Sequence, residues 1–480
     1  MPDDFIMGRL FDMQVQGRIL RDTMDNIQAI SVFDGRYSRH SLELREIFSE
    51  YGLIKHRVFV EIQWLKFLFT ELNLESVSSD EMDRIDAVYE AFDAASAVSV
   101  KTIEKETNHD VKAVEYFIKQ KLSEAGMDHL KEWVHFGCTS DDINNTAYAL
   151  MIQAGRGLLA KDTAALIARI EDFAKQYKGI PMMSRTHGQP ATPTTVGKEM
   201  VNFAWRLRME LTNFQSLYIQ AKMNGASGNF NAHQFVLPKT NWIDASEKFI
   251  TKYLGLTPIL YTTQINPNNY ISEILHNMIR IAATIIDLDR DMWGYISLGY
   301  FKQKPIPGEV GSSTMPHKVN PIDFENSEGN MGMAIALMDH LAVKLLNSRF
   351  QRDLTDSTVL RNLGAVWGYM IIGLKSILKG LGKVSVNRVK IETDLEDNPE
   401  LMAEAIQTAM RVYKEENPYE KLKGLTRGRR ISRNDISEFV DTLKNVPETV
   451  KTRMKDLTAS RYTGLAEELV DHYFRHIRKP

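Results

Sequence analysis

The sequence predicts an all-α fold of three helical domains built around a central bundle of long helices. Three observations carry this. Apolar residues recur every three or four positions over long stretches. The alternating pattern of strands is absent. Pro and Gly gather at a few junctions instead of being spread along the chain.

Residues 1–130 read as an N-terminal helical domain. Its first 26 residues read as a poorly ordered extension in which Met24 is an alternative start, and Asp3, Asp4, Arg9 and Asp12 leave no apolar core for a targeting signal. Residues 131–365 read as the long-helix bundle. Ile152, Leu159, Thr163, Leu166, Ile170, Phe173 and Tyr177 form one apolar stripe, flanked by Lys161, Arg169, Glu171 and Lys175. Ile274, Met278, Ile281, Ile285, Leu288 and Met292 form another, and Val201 to Lys222 continues the pattern with few breakers. Helices of this length pack lengthwise into bundles. Residues 366–480 read as a C-terminal domain of shorter, more charged helices, with turns at Asn398-Pro399 and Asn417-Pro418. The Arg427, Arg429 and Arg430 cluster reads as a solvated face.

Bulk properties narrow the function. The 480 residues carry 59 basic and 62 acidic side chains, a net charge of -3. That balance gives no general reason to expect nucleic acid or membrane as a partner. The most apolar short run, Ala365 to Leu374, falls well below the about 18 residues of a spanning helix. The chain therefore reads as soluble and cytoplasmic. A single cysteine, Cys138, excludes an intrachain disulfide and a CxxC metal site. A buried, inert thiol is its commoner state, with a nucleophile as the alternative. HExxH, GxGxxG and P-loop patterns are missing, so no metal or organic cofactor is expected.

The most specific string is Gly311-Ser312-Ser313-Thr314-Met315-Pro316-His317-Lys318-Val319-Asn320-Pro321. It combines loop N–H groups, hydroxyls, Lys318 and the Asn320 amide, a set suited to a carboxylate or a developing oxyanion. Ser184-Arg185-Thr186-His187-Gly188-Gln189-Pro190-Ala191 places a histidine just ahead of an expected helix start, with Pro190 and Pro193 suited to a first turn. Two readings of His187 stay open: a loop residue facing a cleft, able to move protons near neutral pH, or a hydrogen-bonded core histidine. Asp110, in Thr107-Asn108-His109-Asp110-Val111-Lys112-Ala113-Val114-Glu115-Tyr116, either caps a helix or lines a site. In Cys138-Thr139-Ser140-Asp141-Asp142-Ile143-Asn144, Thr139 and Ser140 suit a helix start with Asp142 as a first-turn acid. Arg352, Ser357 and Arg361 fall at helix-like intervals, either as one anion-binding face or as exposed ion pairs with Asp353 and Asp356.

The four quoted strings, beginning at Gly311, Ser184, Thr107 and Cys138, resemble the signatures of the fumarase and aspartase superfamily. The histidine before Lys318 looks like the adenylosuccinate lyase version, closest to the enteric bacterial type. The similarity runs from about Arg36 to the C-terminus, with an extra N-terminal stretch as the one departure noticed. The resemblance implies a β-elimination that releases fumarate from a succinylated nucleotide, with His187 as general acid and Ser312 as general base. It implies substrate-binding roles for Arg36, Tyr37, Asn108, His109, Asp110, Thr139, Ser140, Gln264, Ser313, Lys318, Val319, Asn320, Asn326, Arg352, Ser357, Thr358, Val359, Leu360 and Arg361. It further implies a homotetramer with a helical core between subunits and sites shared among them. Three rivals remain: a sister lyase of the superfamily, a non-catalytic relative, and a helical nucleic-acid binder, which the slightly acidic balance disfavours.

Overall fold

The computed structural model describes residues 27–304, 315, 318–426 and 431–476. The extension over residues 1–26 and the Arg427, Arg429 and Arg430 cluster lie outside them. Helix dominates, as the periodicity requires. Helix α1 (Glu50–Thr70) starts at Ser49, whose hydroxyl accepts the Gly52 N–H. Its buried residues include Leu53, Ile54, Val58, Ile62, Leu65 and Phe69, and also the charged Arg57 and Glu61. Helix α2 (Ala94–Thr107) stops at Asn108, which adopts the left-handed conformation (φ 53°) that ends many helices. Helix α3 (Asp110–Glu124) follows directly.

Helix α4 (Ser140–Gln176) is 37 residues long. Its stripe from Ile152 to Phe173 is buried as expected. Glu171, expected on the solvated flank, is buried too. It accepts hydrogen bonds from Tyr473 (2.7 Å) and Arg208, which satisfy a carboxylate that burial would otherwise penalise.

The segment after α4 departs from the all-helical expectation. Strands β1 (Pro181–Thr186) and β2 (Gln189–Thr195) form an antiparallel hairpin, with a register shift between Met183 and Ser184. His187 (φ 52°) and Gly188 (φ 75°) are its two-residue turn. Two positive φ values match the twist of the flanking strands. Pro190 and Pro193 therefore lie in β2 and not in a helix's first turn. Short pairings also join Gln220–Ala221 to Thr257–Pro258 and Phe301–Gln303 to Val384–Val386.

Helix α5 (Val196–Ser216) and α6 (Asn269–Ser297) follow. All six residues of the α6 stripe are fully buried, each contributing roughly 1.5–3 kcal/mol. Helices α7 (Ile322–Lys344), α8 (Thr355–Leu360) and α9 (Leu363–Lys383) complete the central stretch. Shorter helices then lead to α10 (Ala466–His476). Pro399 and Pro418 each open a helix just past their expected turns.

The chain divides into two compact units. The first comprises residues up to Asp162, Glu210–Ala283 and Gly329–Lys375; the second comprises Thr163–Met209, Thr284–Glu328 and Ser376 onward. The first has an aromatic core in which Trp64 stacks on Phe67 and meets Phe249 edge-on at 4.9 Å. The second holds a C-terminal core of Met402, Ile406, Met410, Ile436, Val440 and Leu443. Among the described residues, no helix is long and apolar enough to cross a membrane.

Candidate active site

In the first unit the site grows from the start of α4. The Asp142 carboxylate accepts the Thr139 N–H at 2.8 Å, which closes the helix's first turn. Asp142 does more than an exposed first-turn acid would. It is fully buried and pairs with the equally buried Lys222 at 2.9 Å. It also accepts the N–H groups of Asn224 and Gly225, at 3.0 and 3.1 Å.

One residue away, the Ser140 hydroxyl accepts a hydrogen bond from Arg352 at 3.1 Å. The same guanidinium nitrogen donates to Gln264 Oε1, also at 3.1 Å. The Gln264 amide donates in turn to the Ala226 carbonyl at 3.0 Å. Thr263 is tied to the Gln351 carbonyl, so the two segments run together. Both hydrogen-bond acceptors of Arg352 are neutral, while the carboxylates of Asp141 and Asp356 lie within reach of its charge. Ser140, Gln264 and Arg352, chosen from three distant parts of the sequence, thus converge on one guanidinium.

A second cluster in this unit centres on Asp110. Its Oδ2 accepts from Arg57 at 2.7 Å and from Arg361 at 3.2 Å. Arg57 is buried and also donates to Asn144 at 2.8 Å. Burial raises the Asp110 pKa, but Arg57, the Val111 N–H and Arg361 together outweigh it and the net direction is downward. Arg361 pairs with Glu50 at 2.9 Å. A small cavity of about 90 Å³ lies beside it, lined by Glu50, Tyr148, Leu360 and Arg361. The cap of α3 is not Asp110, as the sequence suggested, but His109, whose Nδ1 accepts the Lys112 N–H. Asn108 and His109 are exposed next to it.

The helical spacing of Arg352, Ser357 and Arg361 does not form one face. Arg352 precedes α8 and Arg361 follows it, and each belongs to a different cluster. Nor are they the exposed pairs of the alternative reading: Asp353 accepts from Thr355 and Arg349, and Asp356 from the Ser357 N–H. Within α8, Thr358 is exposed, Ser357 and Val359 are partly buried, and Leu360 is buried. Arg36 is exposed and Tyr37 partly buried in the turn at 31–41.

The second unit holds His187, Lys318, Val319, Asn320 and Asn326. His187 is exposed at its hairpin turn, so within this unit it is not a core histidine. Beneath the hairpin a cavity of about 410 Å³ is lined by Ser184, Arg185, Thr194, Glu199, Asp291 and Tyr295. Burial raises the Asp291 carboxyl to about 6, helped by the charges of Asp287 and Glu199. Lys318 and Val319 are exposed, and the Val319 carbonyl accepts from Gln303 at 2.9 Å. Asn326 Oδ1 accepts from Ser376 at 2.7 Å. Ser312, Ser313 and His317 lie outside the described residues.

Burial and neighbouring carboxylates push the Cys138 thiol well above its ordinary range, which favours the inert reading. Asp142, Lys222 and Arg57 were missed as site-forming residues. A signal existed for each. Lys222 interrupts the apolar run Ala221–Met223 just before Gly225, and Arg57 falls among the core-facing residues of α1.

The family described as lyase matches residues 35–336, and that described as adenylosuccinate lyase, C-terminal, matches residues 348–463. In the solved structures, the fold is similar to fumarate lyase from Mesorhizobium sp. BNC1 (TM-score 0.74, 16% identity, 91% of this chain and 98% of that one). It is also similar to 3-carboxy-cis,cis-muconate lactonizing enzyme from Pseudomonas putida (TM-score 0.71, 17% identity, 89% and 95%). The family match over residues 35–336 defines a lyase, and its fold is of this helical class. Among sequences, adenylosuccinate lyase of Vibrio cholerae is 50% identical over 450 residues, covering 93% of this chain and 98% of that protein. The Escherichia coli K12 enzyme is 50% identical over 453 residues, covering 93% and 99%. The chain belongs to the adenylosuccinate lyase family.

Proposed function

We propose that this chain eliminates fumarate from adenylosuccinate to give AMP. It performs the same reaction on succinylaminoimidazole carboxamide ribotide, giving the aminoimidazole carboxamide ribotide, in de novo purine synthesis. The observation that carries this is half-identity to named adenylosuccinate lyases along 93% of the chain. The reaction is a carbon–nitrogen β-elimination. A base takes a proton from the carbon beside one succinyl carboxylate. The C–N bond breaks, and an acid protonates the departing nitrogen. Negative charge builds on the carboxylate as the proton leaves, so fixed donors there lower the barrier.

Ser312 acts as the base and His187 as the acid. A serine hydroxyl is a weak base at neutral pH, so Lys318, loop N–H groups and exclusion of water activate it. Arg352, oriented by Ser140 and Gln264, takes an anionic group of the substrate; Asn108, His109 and Asp110 line the site. No metal or organic cofactor takes part. The enzyme is a cytoplasmic homotetramer whose sites are shared between subunits. Exposed apolar side chains support an assembly: Trp205 and Met209 on α5, Trp293 on α6, and Met333 and Val343 on α7.

The test is the ultraviolet spectrum of adenylosuccinate incubated with metal-free protein. A fall in its absorbance with AMP and fumarate appearing in equal amounts is the expected result. No change, with turnover of L-malate, aspartate or argininosuccinate instead, would move the activity to a sister lyase. Inactivity on all of them would favour a non-catalytic relative.

A further inference from the structure

We propose that the buried Lys222–Asp142 ion pair is a positioning device that sets the Arg352 guanidinium, an inference that rests on the lyase reading and deepens it. Lys222 and Asp142 have no exposed surface. A lysine paired with Asp142 at the start of α4 invites assignment as a substrate cation, yet its ammonium is already committed to Asp142 (2.9 Å) and the Gly225 carbonyl (3.2 Å). Its backbone is held by the Asn145 side-chain amide, which accepts the Lys222 N–H (2.9 Å) and donates to its carbonyl (3.1 Å).

Asp142 distributes this anchorage in two directions. Toward one side it holds the Thr139 N–H, and the next residue is Ser140, an acceptor of Arg352. Toward the other it holds the Gly225 N–H, and the next residue is Ala226, whose carbonyl fixes Gln264, the second acceptor of Arg352. Hydrogen bonds and the short chain links between them therefore connect Arg352 through both arms to a single carboxylate. Burying an ion pair is a poor way to gain stability, since apolar or neutral isosteres often serve as well. A charge-assisted hub is a good way to hold two loops in one register. Without Lys222 the buried carboxylate loses its charge-assisted partner, and the two arms lose their common anchor.

Two variants test this. Lys222→Met/Asp142→Asn removes both charges and leaves no lone buried ion. Gly225→Ala keeps the pair but strains the loop, because φ is +84° and the new Cβ would stand 3.4 Å from the His233 ring. Turnover of adenylosuccinate by the unmodified protein tests the lyase reading; the ratio of variant to unmodified constants tests the pair. The expected result in each folded variant is a KM raised on the order of 10-fold with kcat within about threefold. A merely structural role would lower the active fraction, and so kcat, at unchanged KM. In an Arg352→Ala background the same changes should raise KM no further. Unchanged KM in either folded variant, or a full additive rise in the Arg352→Ala background, overturns the proposal.

Discussion

His187 and Arg352 occupy opposite kinds of position. His187 is exposed at a turn that demands positive φ from two successive residues. Little packs on it, so replacing it should touch chemistry more than folding. His187→Ala is expected to abolish elimination, by two or more orders of magnitude in kcat, while AMP binding measured by calorimetry stays near its original value. Were His109→Ala the more damaging to the chemical step, the acid assignment would move to His109. Arg352 is only partly buried but is gripped by two neutral acceptors. Lysine offers a point charge where arginine offers a planar fork. Arg352→Lys should therefore raise KM about 10-fold, and steady-state kinetics on adenylosuccinate would show it.

At the scale of the element, α6 illustrates how periodicity can be right and still incomplete. Its apolar stripe is buried in full, but Asp289 is buried on the same helix. Burial drives that carboxyl up to about 9, with the Ser327 hydroxyl pulling the other way and Glu328 adding to the rise. The sign follows. Between about pH 4 and pH 9 the folded chain holds a proton that the unfolded chain has lost, so stability falls as pH rises through that window. Asp289→Asn removes the dependence. Its stabilisation over the original protein, measured by urea unfolding, should be small at pH 5 and grow steadily to pH 9; a constant difference would refute it. Helix α10 is docked through Tyr473, whose hydroxyl reaches the buried Glu171. Tyr473→Phe leaves Glu171 short of a donor and should cost about 1–3 kcal/mol in the same assay.

For the whole molecule, long helices that leave tryptophan and methionine exposed call for partners. Sedimentation is expected to give a tetramer. If sites are shared between chains, mixing two inactive variants, His187→Ala and Ser312→Ala, should restore turnover through hybrid sites. Persistent inactivity of a mixture that demonstrably exchanges subunits would confine each site to one chain.

Sequence alone determined the helical class, because a 3.6-residue apolar period shows directly which face of an element must leave water. It also determined the motif residues and the family they resemble, since short strings such as Gly311 to Pro321 keep their chemistry locally. The tertiary structure decided what depended on partners far along the chain. The β1–β2 hairpin was hidden because Pro190, Pro193 and the central glycine resemble a loop leading into a helix, while pairing between strands supplied the preference. The burial of Glu171 depended on Arg208 and Tyr473, the latter 302 residues away. The roles of Arg352 and Arg361 were separated by contacts to Ser140, Gln264, Glu50 and Asp110, none of them close in sequence. Lys222 and Asp142 are 80 residues apart, and a charge becomes a buried hub only when the fold brings its counter-charge within 3 Å and removes the water from both.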